Sequence, residues 1–343
     1  MQKPTVRLDW PGKDVRPTEA TASLTPVRAA DPRAILVLGD NLHALRSLAA
    51  RSEGDVTLAY LDPPFLTGRL HERVTRVRDS ETGKLLRTRT AAFDDRWDGL
   101  DHYLDALGPR MMAVRQLLAP HGSVVLHVDS KTSHYAKVLC DEIFGQRAFA
   151  SEIVWRYRRW PSKTPNFQRL HDVLLRYVKD PEVRPRFRQL YEPLAPSTIA
   201  TWGRKKQRAI VDGDGRRTRS SKTEEATPGA PLGDVWDIGI VAPVARERTG
   251  YPTQKPELLI QRLVEALTDP GELVLDPYVG SGTTPAVCMR LGRRAIGIDS
   301  NPEAIEITRR RLAAAGVEPT EQRVTTRSPV RSTSRRRQSR DAA

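Results

Sequence analysis

The chain has little cysteine and no long apolar run. Its two cysteines, Cys140 and Cys288, sit in separate apolar stretches, AKVLCDEIF and PAVCMRLG. Neither belongs to a C-x-x-C pair, which argues against a disulfide framework and a zinc site. Both read as buried helical thiols, and no metal is expected. No segment approaches the roughly 20 apolar residues of a membrane-spanning helix. Residues 1–30 are rich in Pro, Thr and charge and lack the apolar core of a signal peptide, so a cytoplasmic protein with no membrane partner is expected. The glycines at 280 and 282 are not followed by a lysine, which excludes a P-loop. Position 285 is proline, which breaks the dinucleotide pattern G-x-G-x-x-G. No internal repeat is present.

What the chain does have is positive charge. Lys and Arg number 56 against 42 Asp and Glu, a formal net charge of +14, and such a balance points first to nucleic acid as partner. Its 343 residues exceed one small domain and suggest a large catalytic domain with an inserted or appended module.

Hydrophobic patterning alternates strands and helices. ILVL (35–38) and VTLAYL (56–61) are short apolar runs that read as buried strands. Between them Asp40-Asn41 can cap the helix LHALRSLAA. A helix is expected from Tyr103 to Leu118, a strand over 123–128, a helix over 133–144, and strand-like runs at 152–155 and 172–178. Residues 180–235 are basic and rich in Pro, Gly and Ser, with poor apolar periodicity. Order returns with a helix over 257–267, a strand ELVLD (272–276), helix 284–291, strand AIGID (295–299) and helix 302–315. This alternation predicts an α/β fold, a doubly wound, mostly parallel sheet with helices on both faces. Ligands in such sheets bind beyond the carboxyl ends of the strands. Three features fall there: Asp62-Pro63-Pro64-Phe65, Asp276-Pro277 with its glycine turn, and Asp299.

The turn at 276–284 joins a strand to a helix N-terminus, whose N–H groups lack helical partners. Gly280 and Gly282 allow positive φ or close backbone approach. Asp299 ends the next strand, where an acid can accept hydrogen bonds from ribose hydroxyls, or simply cap the helix behind it. At the other turn, two prolines end a buried strand. The Asp62 carboxylate and the Pro63 carbonyl are two acceptors that match the two N–H donors of a planar amino group. Phe65 supplies a flat apolar face, and stacking a base on an aromatic is worth about 1–3 kcal/mol. The bland alternative is a proline-rich turn with a core phenylalanine.

Together these segments resemble the amino-methylating DNA methyltransferases of bacterial restriction–modification systems and their solitary relatives. LDPPF (61–65) resembles the family's catalytic D-P-P-[YF] motif, and LDPYVGSGTT (275–284) its cofactor motif. YPTQKP (251–256) is similar to the segment that grips the methionine end of the methyl donor, and GIDSNPEAIEIT (297–308) to the acid-bearing strand. The catalytic motif precedes the cofactor motif, the order of the family's β group. The resemblance implies a Rossmann-like domain dependent on S-adenosylmethionine, with double-stranded DNA as partner. It leaves room for a cognate restriction endonuclease and for a homodimer. It implies that Asp62, Pro63, Pro64 and Phe65 hold a flipped base. Asp40, Thr253, Lys255, Asp276, Pro277, Gly280, Gly282, Thr283 and Asp299 would bind the donor, with Thr253 and Lys255 near its carboxylate.

It also implies a division of the chain. Residues 1–32 would be a flexible lead-in and 33–179 the catalytic half. Residues 180–235 would be the inserted target-recognition region, 236–318 the cofactor half and 319–343 a disordered basic tail. Adenine N6 is the expected acceptor, because Asp rather than Ser stands at position 62. Cytosine N4 and a DNA-binding relative without catalysis are the alternatives. Carbon-5 methylation is disfavoured, because it uses a cysteine nucleophile, usually beside a proline, and neither cysteine has one. Three basic stretches, 69–89, 155–169 and 204–219, are expected to line a DNA cleft.

Overall fold

Strand β3 (Val56–Leu61) is buried at every position, as a central parallel strand covered on both faces must be. It is one of ten strands in the main sheet, whose order is β1-β16-β2-β15-β14-β3-β6-β8-β7-β13. The computed structural model describes residues 7–11, 13, 22–28, 30–51, 54–78, 85–161, 163, 165–218 and 221–326. The other strands of this sheet are β1 (Ala22–Arg28), β2 (Asp31–Leu38), β6 (Leu118–Asp129), β7 (Phe149–Arg156), β8 (His171–Val178), β13 (Val235–Asp237), β14 (Leu273–Asp276), β15 (Arg294–Asp299) and β16 (Pro319–Thr326). Three two-stranded ribbons lie outside it: β4 (Arg69–Arg78) with β5 (Leu85–Asp95), β10 (Lys205–Arg208) with β11 (Ser221–Ala226), and β9 (Tyr191–Glu192) with β12 (Ala230–Pro231).

Pairing is parallel except at β1–β16, β6–β8 and β8–β7. The helices are α1 (Asn41–Ala49), α2 (Leu100–Leu117), α3 (Ser133–Phe144), α4 (Pro196–Trp202), α5 (Glu257–Leu267), α6 (Thr283–Arg290) and α7 (Pro302–Ala314). Helices α1, α2 and α3 cover one face with Leu45, Leu107 and Leu139, and α5 and α6 cover the other with Leu263 and Val287. Helix α7 packs Ile305 and Leu312 against Leu36 of β2. Cys140 and Cys288 are buried within α3 and α6, and burial holds both thiols well above their ordinary range.

The topology positions the site. From β14 the chain winds through α6 to its neighbour β15; from β3 it proceeds to its other-side neighbour β6. The connections diverge between β3 and β14, and a crevice opens beyond their carboxyl ends at such a switch point. Leu275 pairs with Ala59, so Asp276 and Asp62 leave the sheet at the same edge.

Two expectations about the termini are corrected. Residues 22–28 and 319–326 are strands, with Leu24 opposite Val324, and β16 also runs parallel to β2. β1 is the edge strand and β16 lies between it and β2; so near the margin of a sheet few apolar residues are needed, and a composition rich in Arg and Thr concealed both. Further upstream, the Leu8 N–H donates to Glu142 of α3 (2.7 Å) and the Trp10 indole to Asp105 of α2 (2.8 Å). Single anchors of this kind leave no periodic trace. Residues 327–343, the rest of the expected tail, lie outside the described residues, as do Lys84 and Arg219. The 180–235 stretch forms mainly exposed ribbons and the short α4, which has no buried residue.

Gly282 shows why the 280–282 turn is glycine-rich. Its φ is +73°, and a Cβ there would meet Thr308 of α7 at 2.7 Å. Positive φ costs an L-residue about 1–2 kcal/mol, and overpacking adds about 1–3 kcal/mol. Gly282→Ala is therefore expected to lose about 2–5 kcal/mol in denaturant titration; an unchanged midpoint contradicts this packing. A chain ending at Glu318 should melt below one ending at Thr326, because β2 loses a neighbour; equal melting temperatures would count against a structural role for β16.

Candidate active site

The cleft at the switch point has a volume of about 1020 Å³. This is at the upper end of the roughly 300–1,000 Å³ of small-molecule sites, room for more than one ligand group. Asp40, Asp62, Pro63, Pro64, Phe65, Thr253, Lys255, Asp276, Pro277, Gly280, Thr283 and Asp299 all line it. The strand end at 62 and the glycine turn, far apart in sequence, thus face one cavity. Gly282 is the exception among the expected residues: it is not among the lining residues, and its missing side chain makes room for α7.

Asp62 is the most unusual group. Its Oδ2 lies 2.5 Å from Lys255 Nζ. Its Oδ1 is buried and has no hydrogen-bond partner among the described residues. Lys255 Nζ also lies 5.0 Å from the centre of the Phe65 ring, within cation–π range. The ammonium expected near a donor carboxylate is therefore engaged on Asp62.

The turn after Phe65 is held from below by a residue that the motif reading missed. Leu66 has φ +59°, a strained value for a side chain of its size. Asp95, 1% exposed, fixes it: Oδ1 accepts from Leu66 N (2.8 Å) and Trp97 Nε1 (3.1 Å), and Oδ2 from Thr67 N (3.0 Å) and Thr67 Oγ1 (2.5 Å). Hydrogen bonds to a charged group contribute about 1.5–3 kcal/mol each, enough to offset such strain. Asp95 ends β5, so the β4–β5 ribbon is tied to the cleft; its His71 and Phe93 stack at 4.5 Å beside it.

Behind Asp62 lies a buried polar chain that was also missed. His127 of β6 is fully buried. Its Nδ1 is 2.8 Å from Tyr60 Oη and 3.7 Å from Asp62 Oδ1, and its Nε2 is 3.3 Å from Asp172 Oδ2. Tyr157 Oη donates to Asp172 Oδ1 at 2.9 Å. Burial pushes the Asp172 carboxyl up, but the hydrogen bonds from His127 and Tyr157 and the nearby Lys255 bring it below its ordinary value. Burial and nearby carboxylates raise the Tyr60 phenol well above its usual range, so it stays protonated. The signal in sequence was a lone histidine inside the apolar run SVVLHVD.

At the opposite end, Asp299 Oδ2 accepts from Gly280 N (3.0 Å) and Oδ1 from Asn301 N (2.9 Å). Burial raises its pKa. With a further backbone hydrogen bond from Ser300, the carboxylate still has acceptor capacity left. A Cβ on Gly280 would approach the Tyr251 ring at 3.1 Å, so the turn packs tightly there. Asp276 is 3% exposed, and burial, with repulsion from Asp62 and Asp299, pushes its carboxyl up to about 7 despite hydrogen bonds from Thr284 and Tyr278. Pro277 O accepts from Asn41 Nδ2 (2.9 Å), and Thr283 Oγ1 donates to Lys255 O (3.1 Å). Thr253 holds φ +58°, which shapes the bend before Lys255. Asp40 caps α1 through His43 N and pairs with Arg110 at 3.1 Å.

The basic stretches divide. Arg69, Arg159 and Arg169 line the cleft, as do Lys131 and Arg248 from outside these stretches, and no described residue of 204–219 does. Arg73 and Arg89 pair with Glu303 and Glu72, and Lys205 and Lys206 with Glu224 and Glu225. Trp155 and Tyr157 are buried against His127 and Asp172, whereas Trp160 and Phe167 are 93% and 97% exposed.

Comparison with known proteins agrees with this geometry. The profile of the N6/N4 family described as DNA methylase matches residues 56–310. Over 270 residues the chain is 27% identical to the type II methyltransferase M.HpaI of Haemophilus parainfluenzae, covering 79% of this chain and 72% of that one. It is 27% identical over 291 residues to the DNA adenine methyltransferase YhdJ of Escherichia coli K12, covering 84% and 86%. Among solved structures, the PvuII DNA methyltransferase (cytosine-N4-specific) superposes with a TM-score of 0.50 at 16% identity, covering 84% of this chain and 88% of that chain, a likeness of fold. With the matched profile spanning most of its length and both motifs facing one cleft, the chain belongs to the DNA methylase family of amino-methylating DNA methyltransferases.

Proposed function

We propose that this cleft transfers a methyl group from S-adenosylmethionine to the exocyclic N6 of an adenine flipped out of duplex DNA. The observation that carries the reading is the bare, buried Oδ1 of Asp62. A buried acceptor without a donor costs about 1–3 kcal/mol, and an amino N–H entering the cleft relieves that cost. Asp62 and the Pro63 carbonyl receive the two N–H groups of the amine, which favours a nitrogen whose lone pair is available for attack. Phe65 stacks on the base and offsets part of the few kcal/mol that flipping costs. The name of the YhdJ relative supports adenine as the acceptor.

The donor-facing residues fit an adenosine-bearing ligand. Asp299 retains lone pairs for ribose hydroxyls, Gly280 keeps the turn free of a side chain, and Asp40 lies at the same end of the cavity. When bound, S-adenosylmethionine supplies an electrophilic methyl group on sulfur. The residues of the chain hold the amine against it and take up the proton that nitrogen loses, first at Asp62. Lys131, Arg159 and Arg169 give the DNA-facing rim its cations, so affinity falls with salt. The region 180–235 is the proposed target-recognition insert, and action on bacterial DNA supports a cytoplasmic location. A cognate restriction endonuclease is a further proposal, supported by the type II name of its M.HpaI relative; a homodimer is proposed from the family resemblance alone.

Digestion of modified DNA to nucleosides should yield N6-methyladenine; N4-methylcytosine would overturn the choice of base. Asp62→Ala should lower turnover by about 10²–10³-fold, as loss of a preorganised polar group does, while calorimetry still shows donor binding. Normal methylation by Asp62→Ala would remove Asp62 from the chemistry. Phe65→Ala should weaken base stacking by about 1–3 kcal/mol and lower turnover; unchanged kinetics would remove Phe65 from the base site.

A further inference from the structure

The fully buried His127 is not part of either motif, yet it contacts several walls of the amine pocket. Beyond the contacts to Tyr60, Asp172 and Asp62, its ring lies 5.4 Å from the Phe65 ring and 5.5 Å, edge-on, from Trp155. We propose that His127 is a positioning residue for methyl transfer: a neutral imidazole, protonated on Nε2, that leaves Asp62 Oδ1 a bare acceptor and backs the Phe65 face. This rests on the reading of the cleft as an amino-methyltransferase site.

The proton placement follows from the partners. An ionised carboxylate only accepts, so Asp172 Oδ2 requires a proton on His127 Nε2. Asp172 Oδ1 already takes the Tyr157 hydroxyl proton. A neutral imidazole then presents Nδ1 as an acceptor, and the Tyr60 hydroxyl at 2.8 Å fills it. The 3.7 Å between Nδ1 and Asp62 Oδ1 is beyond hydrogen-bond range, as fits a ring that sends no N–H to Asp62. The alternative is an imidazolium. Its Nδ1–H would donate to Tyr60 Oη or to Asp62 Oδ1, and in the second case would occupy the acceptor that the amine needs. The ionisable groups facing the ring are Tyr60 and Asp62 from β3 and the turn behind it, and Asp172 from β8. Tyr157 follows β7 and reaches the ring through Asp172, and Lys255 through Asp62.

The arrangement also explains a histidine where Val125, Leu126 and Val128 are apolar and fully buried. An apolar residue at 127 would leave the Tyr60 hydroxyl and Asp172 Oδ2 without these partners in the wall of the site. Asp62 and Phe65 would then lose the surface that sets their orientation.

The test has two arms. Nitrogen-15 NMR of histidine-labelled protein, with the His127 signals assigned by their loss in His127→Gln, should show an unprotonated Nδ1 and a protonated Nε2 at neutral pH. A protonated Nδ1 overturns the proposal, whatever the enzyme's substrate. In kinetics, His127→Leu should lower kcat by about 10–100-fold, the usual penalty for a misplaced reacting group, with donor affinity by calorimetry unchanged. His127→Gln, whose amide can donate to Asp172 and accept from Tyr60, should recover part of that loss. Wild-type turnover in a folded His127→Leu with no change in DNA affinity overturns it; should the leucine variant not fold, the NMR arm decides the proposal. If the wild-type protein methylates no DNA, the amino-methyltransferase reading fails, and the NMR result still decides the proton placement.

Discussion

A carboxylate oxygen buried without a donor is the feature from which the rest of the site is best understood. Asp62 has one oxygen on Lys255 and one bare. Such a group is costly to bury and survives only where the scaffold over-determines it. Here the scaffold is a central strand buried at every position, two prolines that cannot relax, and Asp95 beneath the turn. Lys255 supplies the compensating charge. The residual acceptor is aimed into a cleft that opens on the donor-facing acids.

The sheet makes this arrangement economical. The parallel register of β3 and β14 brings Asp62 and Asp276 to one edge without a dedicated linker. Asp276 is held with its pKa near 7 by burial beside two other acids, so the cleft crowds negative groups that a cationic or amine-bearing ligand relieves. The glycine turn serves two surfaces at once. Gly280 bends it under Tyr251, and Gly282 admits Thr308 of α7.

Much of this was legible in sequence, and for a physical reason. Buried parallel strands are continuous apolar runs, and a strand that ends on Asp-Pro-Pro or Asp-Pro marks its own carboxyl end. The α/β alternation, the two turns and Asp299 therefore stood out. What stayed hidden depends on pairings across the fold. β16 has one apolar side chain among threonines and charges, and only its neighbours β1 and β2 make it a strand. His127 is a single polar residue in an apolar run, and its meaning lies in Tyr60 and Asp172, 67 and 45 positions away. The aromatic-basic stretch 155–169 read as one DNA-binding unit, but Trp155 and Tyr157 are walls of the site while Trp160 and Phe167 face solvent. Alternate burial along a strand and its following loop separated them, and composition has no access to that.

The claim at the centre is that Asp62 Oδ1 takes a hydrogen from the target amine. It is tested most directly by comparing the affinity for duplexes with adenine or with purine, which lacks the amino group, at the modified position. A hydrogen bond to a charged acceptor is worth about 1.5–3 kcal/mol, so the wild-type protein should prefer adenine by about 10–100-fold. In Asp62→Ala that preference should shrink, because only the Pro63 carbonyl is left to accept from the amine. An equal preference in both proteins would contradict the account.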